Sequence, residues 1–206
     1  MRNLLLIIPG IKTTSIPLIK GLFSNLAKQF NVDHGHDNWA YDFKKHFQNE
    51  SDIETIIYEW PRGFSRLFSL YPGINNCATF FQSLKHYDNI TILAKSMGCV
   101  VAKKAIRKSK PNNISKLIYV ATPHRYSKID LPESIKLINV YSKQDSIQIF
   151  ANYFFHFGRG TKVLHNAENI EIKNVKHIDF NQNKIIKYKQ QEISMFDFYT
   201  NLVNSK

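Results

Sequence analysis

Six short apolar runs rich in Ile, Leu and Val, at 3–8, 53–58, 90–94, 116–121, 135–141 and 170–173, constrain the fold more than any other feature of this chain. They are continuously apolar rather than alternating, and longer segments of helical spacing separate them. That is the pattern of a parallel sheet buried on both faces, because parallel strands need crossover connections and the crossing helices cover the sheet. At 206 residues the chain supports one full core, so 1–206 reads as a single α/β domain with a mostly parallel sheet of about six strands and helices on both faces.

The helices follow from periodicity. One begins just after Ser96, with Gly98, Val101, Ala102, Ala105 and Ile106 on one stripe and lysines opposite, and Pro111 stops it. A second is expected after Asp145, where Ile147, Phe150, Ala151 and Phe154 share a face. The last starts near Ser194 as N-cap and buries Met195, Phe198 and Leu202. Segments 16–30 and 39–47 also read as helices. Only some dozen residues join the strand ending at Ala121 to the next, which leaves no room there for a large cap domain.

Composition narrows the class. Apolar residues make up 43% and charged residues 21% of the chain, ordinary values for a globular protein, and no run is long enough to span a membrane. Met1-Arg2-Asn3 before Leu4–Ile8 resembles the start of a secretory signal, but the run is short and ends at Pro9-Gly10, so it reads as a buried strand. Cys77 and Cys99 give no disulfide framework, which points to a reducing, cytoplasmic setting. The net charge of +12 gathers visibly at Lys103, Lys104, Arg107, Lys108 and Lys110, on the later turns of the helix after Ser96, where the helix dipole and a solvated face favour cations. No nucleic-acid module is visible, and peripheral contact with an anionic membrane is the partner this charge admits.

The most informative stretch is Ile92-Leu93-Ala94-Lys95-Ser96-Met97-Gly98-Cys99-Val100-Val101. An apolar strand runs into Ser96 and a helix runs out. A serine on such a turn is exposed to substrate, and the residues two before and two after it must be small so that strand and helix can approach; Ala94 and Gly98 meet that need. The N–H of Met97, at the head of the helix, points where negative charge would develop on an attacked carbonyl. A second donor is expected after the first strand, at Pro9-Gly10-Ile11, with the N–H of Ile11 preferred. The simpler alternative is that Ser96 only caps the helix.

Four stretches together resemble the α/β-hydrolase superfamily, and more narrowly its small lipase-like members and relatives of glycosylphosphatidylinositol inositol-deacylases. Ile7-Ile8-Pro9-Gly10 stands where that family has an oxyanion-loop His-Gly, and Ala94-Lys95-Ser96-Met97-Gly98 resembles its nucleophile elbow. Residues 121–127, Ala-Thr-Pro-His-Arg-Tyr-Ser, are similar to a Gly-Thr-Pro-His-Arg-Gly-Ser motif after the next strand. Val175-Lys176-His177-Ile178-Asp179-Phe180 lies near the end. Pro9, Ala94 and Tyr126 depart from the family pattern without removing a triad member.

The resemblance implies an acid after the penultimate strand and a histidine after the last, in the order Ser, Asp, His. Asp145 and His177 occupy those places. All three follow the carboxyl ends of expected parallel strands, where open α/β sheets bind ligands. Asp145 is preferred to Asp130, which sits in mid-connection, and His177 to His165.

Two other features bear on function. Asp33-His34-Gly35-His36-Asp37 invites a zinc reading but misses the spacing of dinuclear metallohydrolases, so it reads as a polar loop. Aromatic residues gather at Trp60, Phe64, Phe68 and Tyr71, and again at Phe150, Tyr153, Phe154, Phe155 and Phe157; they either wall an acyl pocket or pack the core. The expected activity is hydrolysis of a small-molecule or lipid-like carboxylic ester through an acyl-enzyme on Ser96, with no cofactor and no metal. The alternatives are a non-catalytic binding protein on the same fold, and a thioesterase or amidase with the same triad.

Overall fold

The computed structural model describes residues 1–11, 38–49, 51–62, 66–122, 128–145 and 163–205. The expected helix at 16–30, the 33–37 loop, Phe64, residues 123–127, and the helix and aromatic residues expected after Asp145 lie outside them.

In chain order the elements are β1 (Asn3–Ile8), α1 (Trp39–Gln48), β2 (Glu54–Ile57), α2 (Tyr71–Ser83), β3 (Asn89–Lys95), α3 (Met97–Ser109), β4 (Ile114–Val120), β5 (Lys136–Tyr141), β6 (Glu168–Glu171), β7 (Ile185–Tyr188), β8 (Gln191–Ser194) and α4 (Met195–Asn204). The first six strands form one sheet in the order β2-β1-β3-β4-β5-β6, and every neighbouring pair is parallel. All six expected strands are therefore present, with ends within two residues. The pair β7-β8 is a separate antiparallel hairpin that the sequence reading did not anticipate.

Side-chain alternation divides the interior into two cores. Leu4, Leu6 and Ile8 of β1 face the same side as Ile92 and Ala94 of β3 and Leu117 and Tyr119 of β4, where α2 and α3 cover them. Leu5, Ile7, Leu93, Ile118 and Val120 face the other side, under α1 and α4. Both faces are covered, which is why the strands lack a polar stripe. Each fully buried Ile or Leu contributes about 1.5–3 kcal/mol.

Helix boundaries follow local chemistry. In α3 the stripe Gly98, Val101, Ala102, Ala105 and Ile106 is buried. The helix ends one residue before Lys110, which takes a left-handed conformation (φ 46°) and returns its N–H to the Ile106 carbonyl at 2.8 Å; Pro111 lies just beyond. In α4 the hydroxyl of Ser194 accepts the N–H of Asp197 at 3.1 Å, the N-cap expected of it, and Met195, Phe198 and Leu202 are buried. The far end of α4 is held by Lys116, whose Nζ donates to the carbonyls of Leu202 (3.1 Å), Val203 (2.9 Å) and Ser205.

Helix α2 is a correction to the sequence reading, which placed no helix there. Its Pro72 is well tolerated in a first helical turn, where the missing N–H has no intrahelical partner to lose. Gly73 is required for packing rather than for turning: a Cβ there would stand 2.8 Å from Cε3 of Trp60. Among the described residues no helix is long and apolar enough to cross a membrane.

Candidate active site

Ser96 lies between the last residue of β3 and the first of α3, with φ 51° and ψ −125°. A residue with a Cβ reaches that conformation only at a cost of order 1–3 kcal/mol, so the surroundings must hold it there. Three contacts do so. The Ser96 N–H donates to the Val120 carbonyl at 2.9 Å, carrying the β3-β4 ladder one step past the strand end. The Ser96 carbonyl accepts the N–H of Cys99 at 3.0 Å, the first bond of the helix. Cys99 in turn directs its Sγ to the Ala94 carbonyl at 3.1 Å and receives the Thr122 hydroxyl at 3.0 Å.

The Ser96 side chain makes no cap bond to α3. The simpler alternative, a serine recruited to close a helix start, is therefore not what the turn does. Ser96 remains partly exposed.

The loop after β1 is pressed against this turn. A Cβ on Gly98 would fall 2.3 Å from the Ile8 oxygen and 2.6 Å from the Pro9 oxygen. A Cβ on Gly10 would fall 3.0 Å from Cβ of Ser96 and 3.6 Å from its Oγ. Gly98 is there because backbone meets backbone, and Gly10 because the Ser96 side chain and the Lys95 carbonyl leave little room for a Cβ. Gly10 is thus brought beside Ser96, and the Ile11 side chain that follows it packs on the core. Met97 opens α3, and its N–H is among those that no carbonyl within the helix can take.

Sequence reading missed what holds this loop. The indole N–H of Trp60 donates to the Pro9 oxygen at 2.8 Å, and the ring is 5% exposed. Trp60 is thus a buried brace under the loop, whereas Phe68 and Tyr71, grouped with it in the sequence, stand 81% and 49% exposed. These three residues do not form a common pocket wall. No sequence signal could have paired Trp60 with a carbonyl 51 positions away.

Asp145 and His177 come together. The Nδ1–H of His177 donates to Oδ2 of Asp145 at 2.7 Å, with Asp145 fully buried and His177 9% exposed. Asp145 follows β5 through a tight turn in which the Gln144 N–H donates to the Ser142 hydroxyl. His177 opens a 3₁₀ turn (His177–Asn181) after β6. Asp179 fixes that turn by accepting the Lys176 N–H at 2.6 Å and pairing with Lys184 at 2.8 Å, which commits its carboxylate elsewhere and leaves Asp145 as the partner of the imidazole. Asp130 is a surface partner of Arg107 at 3.2 Å, and His165 is exposed.

Ser96, Asp145 and His177 thus follow β3, β5 and β6, strands that run the same way, so all three leave the sheet at its carboxyl edge. The carboxylate fixes which imidazole nitrogen carries the proton and leaves Nε2 free to accept one.

No protein-family model matches the chain, and no curated protein matches it. Among solved structures, the chain is similar to an α/β serine hydrolase without lid from Xanthomonas campestris, at 12% identity and a TM-score of 0.51 over 97% of this chain and 78% of that one. A CIB-like hydrolase from Thermoplasma acidophilum aligns over 98% of this chain and 84% of its own, at 11% identity and a TM-score of 0.49. The catalytic core of an acetyl xylan esterase from Trichoderma reesei aligns over 82% of each chain, at 10% identity and a TM-score of 0.39. With its six parallel strands in the order given, helices on both faces and a strained serine turn after β3, the chain has the α/β-hydrolase fold.

Proposed function

We propose that the protein is a serine hydrolase that cleaves a carboxylic ester through an acyl-enzyme on Ser96. The observation that carries this reading is the buried 2.7 Å pair of His177 and Asp145 at the same sheet edge as the strained Ser96 turn. A buried carboxylate whose proximal partner is an imidazole Nδ1–H favours the tautomer a general base needs.

In this mechanism His177 Nε2 takes the Ser96 proton as Oγ attacks the ester carbonyl. The resulting imidazolium is stabilised by Asp145, and the oxyanion is received by the N–H groups of Met97 and Ile11. His177 then gives its proton to the departing alkoxide, and the C–O bond of the ester breaks. Water repeats the sequence on the acyl-enzyme, releasing the acid and restoring Ser96. A thioester or amide would follow the same route.

The lid-less protein from Xanthomonas campestris, which shares the fold at 12% identity, is described as an α/β serine hydrolase, in keeping with this reading. The direct test is labelling of the full-length protein by a fluorophosphonate probe at neutral pH. We expect stoichiometric modification at Ser96 and none in Ser96→Ala. A folded native protein that stays unlabelled would sink the proposal and leave a non-catalytic binding role on this fold.

A further inference from the structure

The charge of the chain is not spread evenly. Residues 60–129 hold twelve Lys and Arg but a single carboxylate, Asp88, so eleven of the twelve net positive charges fall in this third of the chain. The remainder is nearly balanced. Three of the segment's cations, Arg62, Lys95 and Lys116, are buried away from the surface, but the segment also builds α2 and α3, which pack side by side on one face of the sheet. Helix α2 contains no acidic residue, and α3 exposes Lys104, Arg107 and Lys108, with Lys110 exposed at its C-cap. A solvated helix face ordinarily mixes both signs; here neither helix carries a carboxylate, and Asp130, 3.2 Å from Arg107, offsets only one of these cations, so the face keeps a positive field suited to an anionic surface.

The same region carries a cluster of exposed apolar side chains. Among the described residues seven large hydrophobic side chains are exposed, and three of them, Leu67 (70%), Phe68 (81%) and Tyr71 (49%), fall within five residues at the entry to α2. Isolated exposed hydrophobics are ordinary, but a cluster is not. It adjoins the cations directly: Nζ of Lys104 stands 6.0 Å from the Tyr71 ring centre, and Nζ of Lys108 donates to Asn75 of α2 at 2.7 Å.

We propose that this face docks the protein on an anionic phospholipid bilayer, with Leu67 and Phe68 entering the headgroup–acyl boundary and Lys104 and Lys108 meeting lipid phosphates and carboxylates. Charge complementarity selects an anionic partner, and the apolar pair selects lipid over nucleic acid, because an exposed Leu beside the cations has nothing to gain from a phosphate backbone and no base to stack on. Long lysine stems suit this arrangement, lying along apolar surface while the ammonium stays at the headgroups. The docking goes beyond the proposed chemistry and does not require it.

The test is co-sedimentation of the full chain with phosphatidylcholine vesicles made with and without phosphatidylserine, run in parallel on Ser96→Ala protein so that loss of chemistry and loss of docking are separate results. We expect binding only where phosphatidylserine is present, weakening as salt rises. Lys104→Gln and Lys108→Gln should each weaken it about fivefold. The double variant Leu67→Ser/Phe68→Ser should weaken it about tenfold or more, with an unchanged melting temperature because both side chains are exposed. Equal binding to both vesicles, or none to either, overturns the proposal. So does binding indifferent to Leu67 and Phe68, or a DNA oligonucleotide bound as tightly through the same lysines, since either would make this a general polyanion surface.

Discussion

The indole of Trp60 holds the carbonyl of Pro9, N–H to oxygen at 2.8 Å, and so fixes the peptide plane that joins Pro9 to Gly10. That peptide is trans, so its N–H points opposite to the held oxygen, and the direction of the following backbone beside Ser96 is set by a side chain buried beneath the loop. Trp60→Phe keeps most of the ring volume and removes the donor. We expect kcat on a p-nitrophenyl ester to fall about tenfold with KM little changed, because a misaimed donor weakens transition-state stabilisation more than binding. The orphaned Pro9 carbonyl should cost roughly 1–3 kcal/mol of stability. An unchanged kcat would free the loop from Trp60.

Gly98→Ala should be among the most damaging small substitutions. Its Cβ would sit 2.3 Å from the Ile8 oxygen and 2.6 Å from the Pro9 oxygen, both rigid backbone atoms at the end of β1. Helix α3 and the loop would have to part, at roughly 3 kcal/mol by the usual cost of overpacking. Thermal melting checks this. Ala105→Gly in the same helix is a control expected to lose about 1 kcal/mol from propensity, and Gly98→Ala should melt well below it.

Asp145→Asn should leave the fold in place and remove most of the activity. An amide can donate as well as accept, so it allows the His177 ring to present its proton toward Ser96 instead of a lone pair. A loss of about 10³–10⁴ in kcat is expected for such a change. Fluorophosphonate labelling should slow in parallel. A variant labelled at the native rate would show that His177 does not depend on Asp145.

Both cysteines should be silent toward iodoacetamide in the native protein and react once it is unfolded. Burial pushes the Cys99 thiol up to about 12 and raises Cys77 as well, because neither site accommodates a thiolate. The folded state therefore holds these protons after the unfolded chain has released them near pH 9. Stability contributed by the neutral thiols is complete below that pH and declines as pH rises from about 9 to about 12. Urea titrations across that range should show the decline, and Cys77→Ala/Cys99→Ala should lessen it from its onset near pH 9, the buried Tyr119 and Tyr199 hydroxyls, also raised by burial, supplying the loss that persists at higher pH.

What could be read from the sequence was whatever depends on near neighbours. The six sheet strands are continuous apolar runs, and their register follows from parallel pairing such as Ile7 with Leu93 and Leu93 with Ile118. The Ser96 turn was legible because strand, small residues and helix lie within ten positions. Helix α2 was hidden because Pro72-Gly73 serves equally as a turn or as a helix entry, and only the packing of Gly73 on Trp60 decides. The β7-β8 hairpin was hidden for a different reason. Its strands have four residues each, mostly polar, joined by Lys189 and Gln190 in left-handed conformations (φ 47° and 66°) that are unusual outside Gly and Asn. The pairing of His177 with Asp145 spans 32 positions, and it was suggested by the family resemblance together with the place of each residue just after an expected strand.

Along the carboxyl edge, carbonyls at the ends of β4 and β5 grip the first residue beyond a neighbouring strand: Val120 takes Ser96, Val140 takes Ala121, and Tyr141 takes Ile172, at 2.9, 3.0 and 2.9 Å. These clasps join segments that are distant in the chain, so none can form before the strands themselves have been laid side by side. During refolding the helices should regain their circular-dichroism signal early, while the serine becomes reactive only when the last clasp closes, making its chemical reactivity a clock for completion of the sheet.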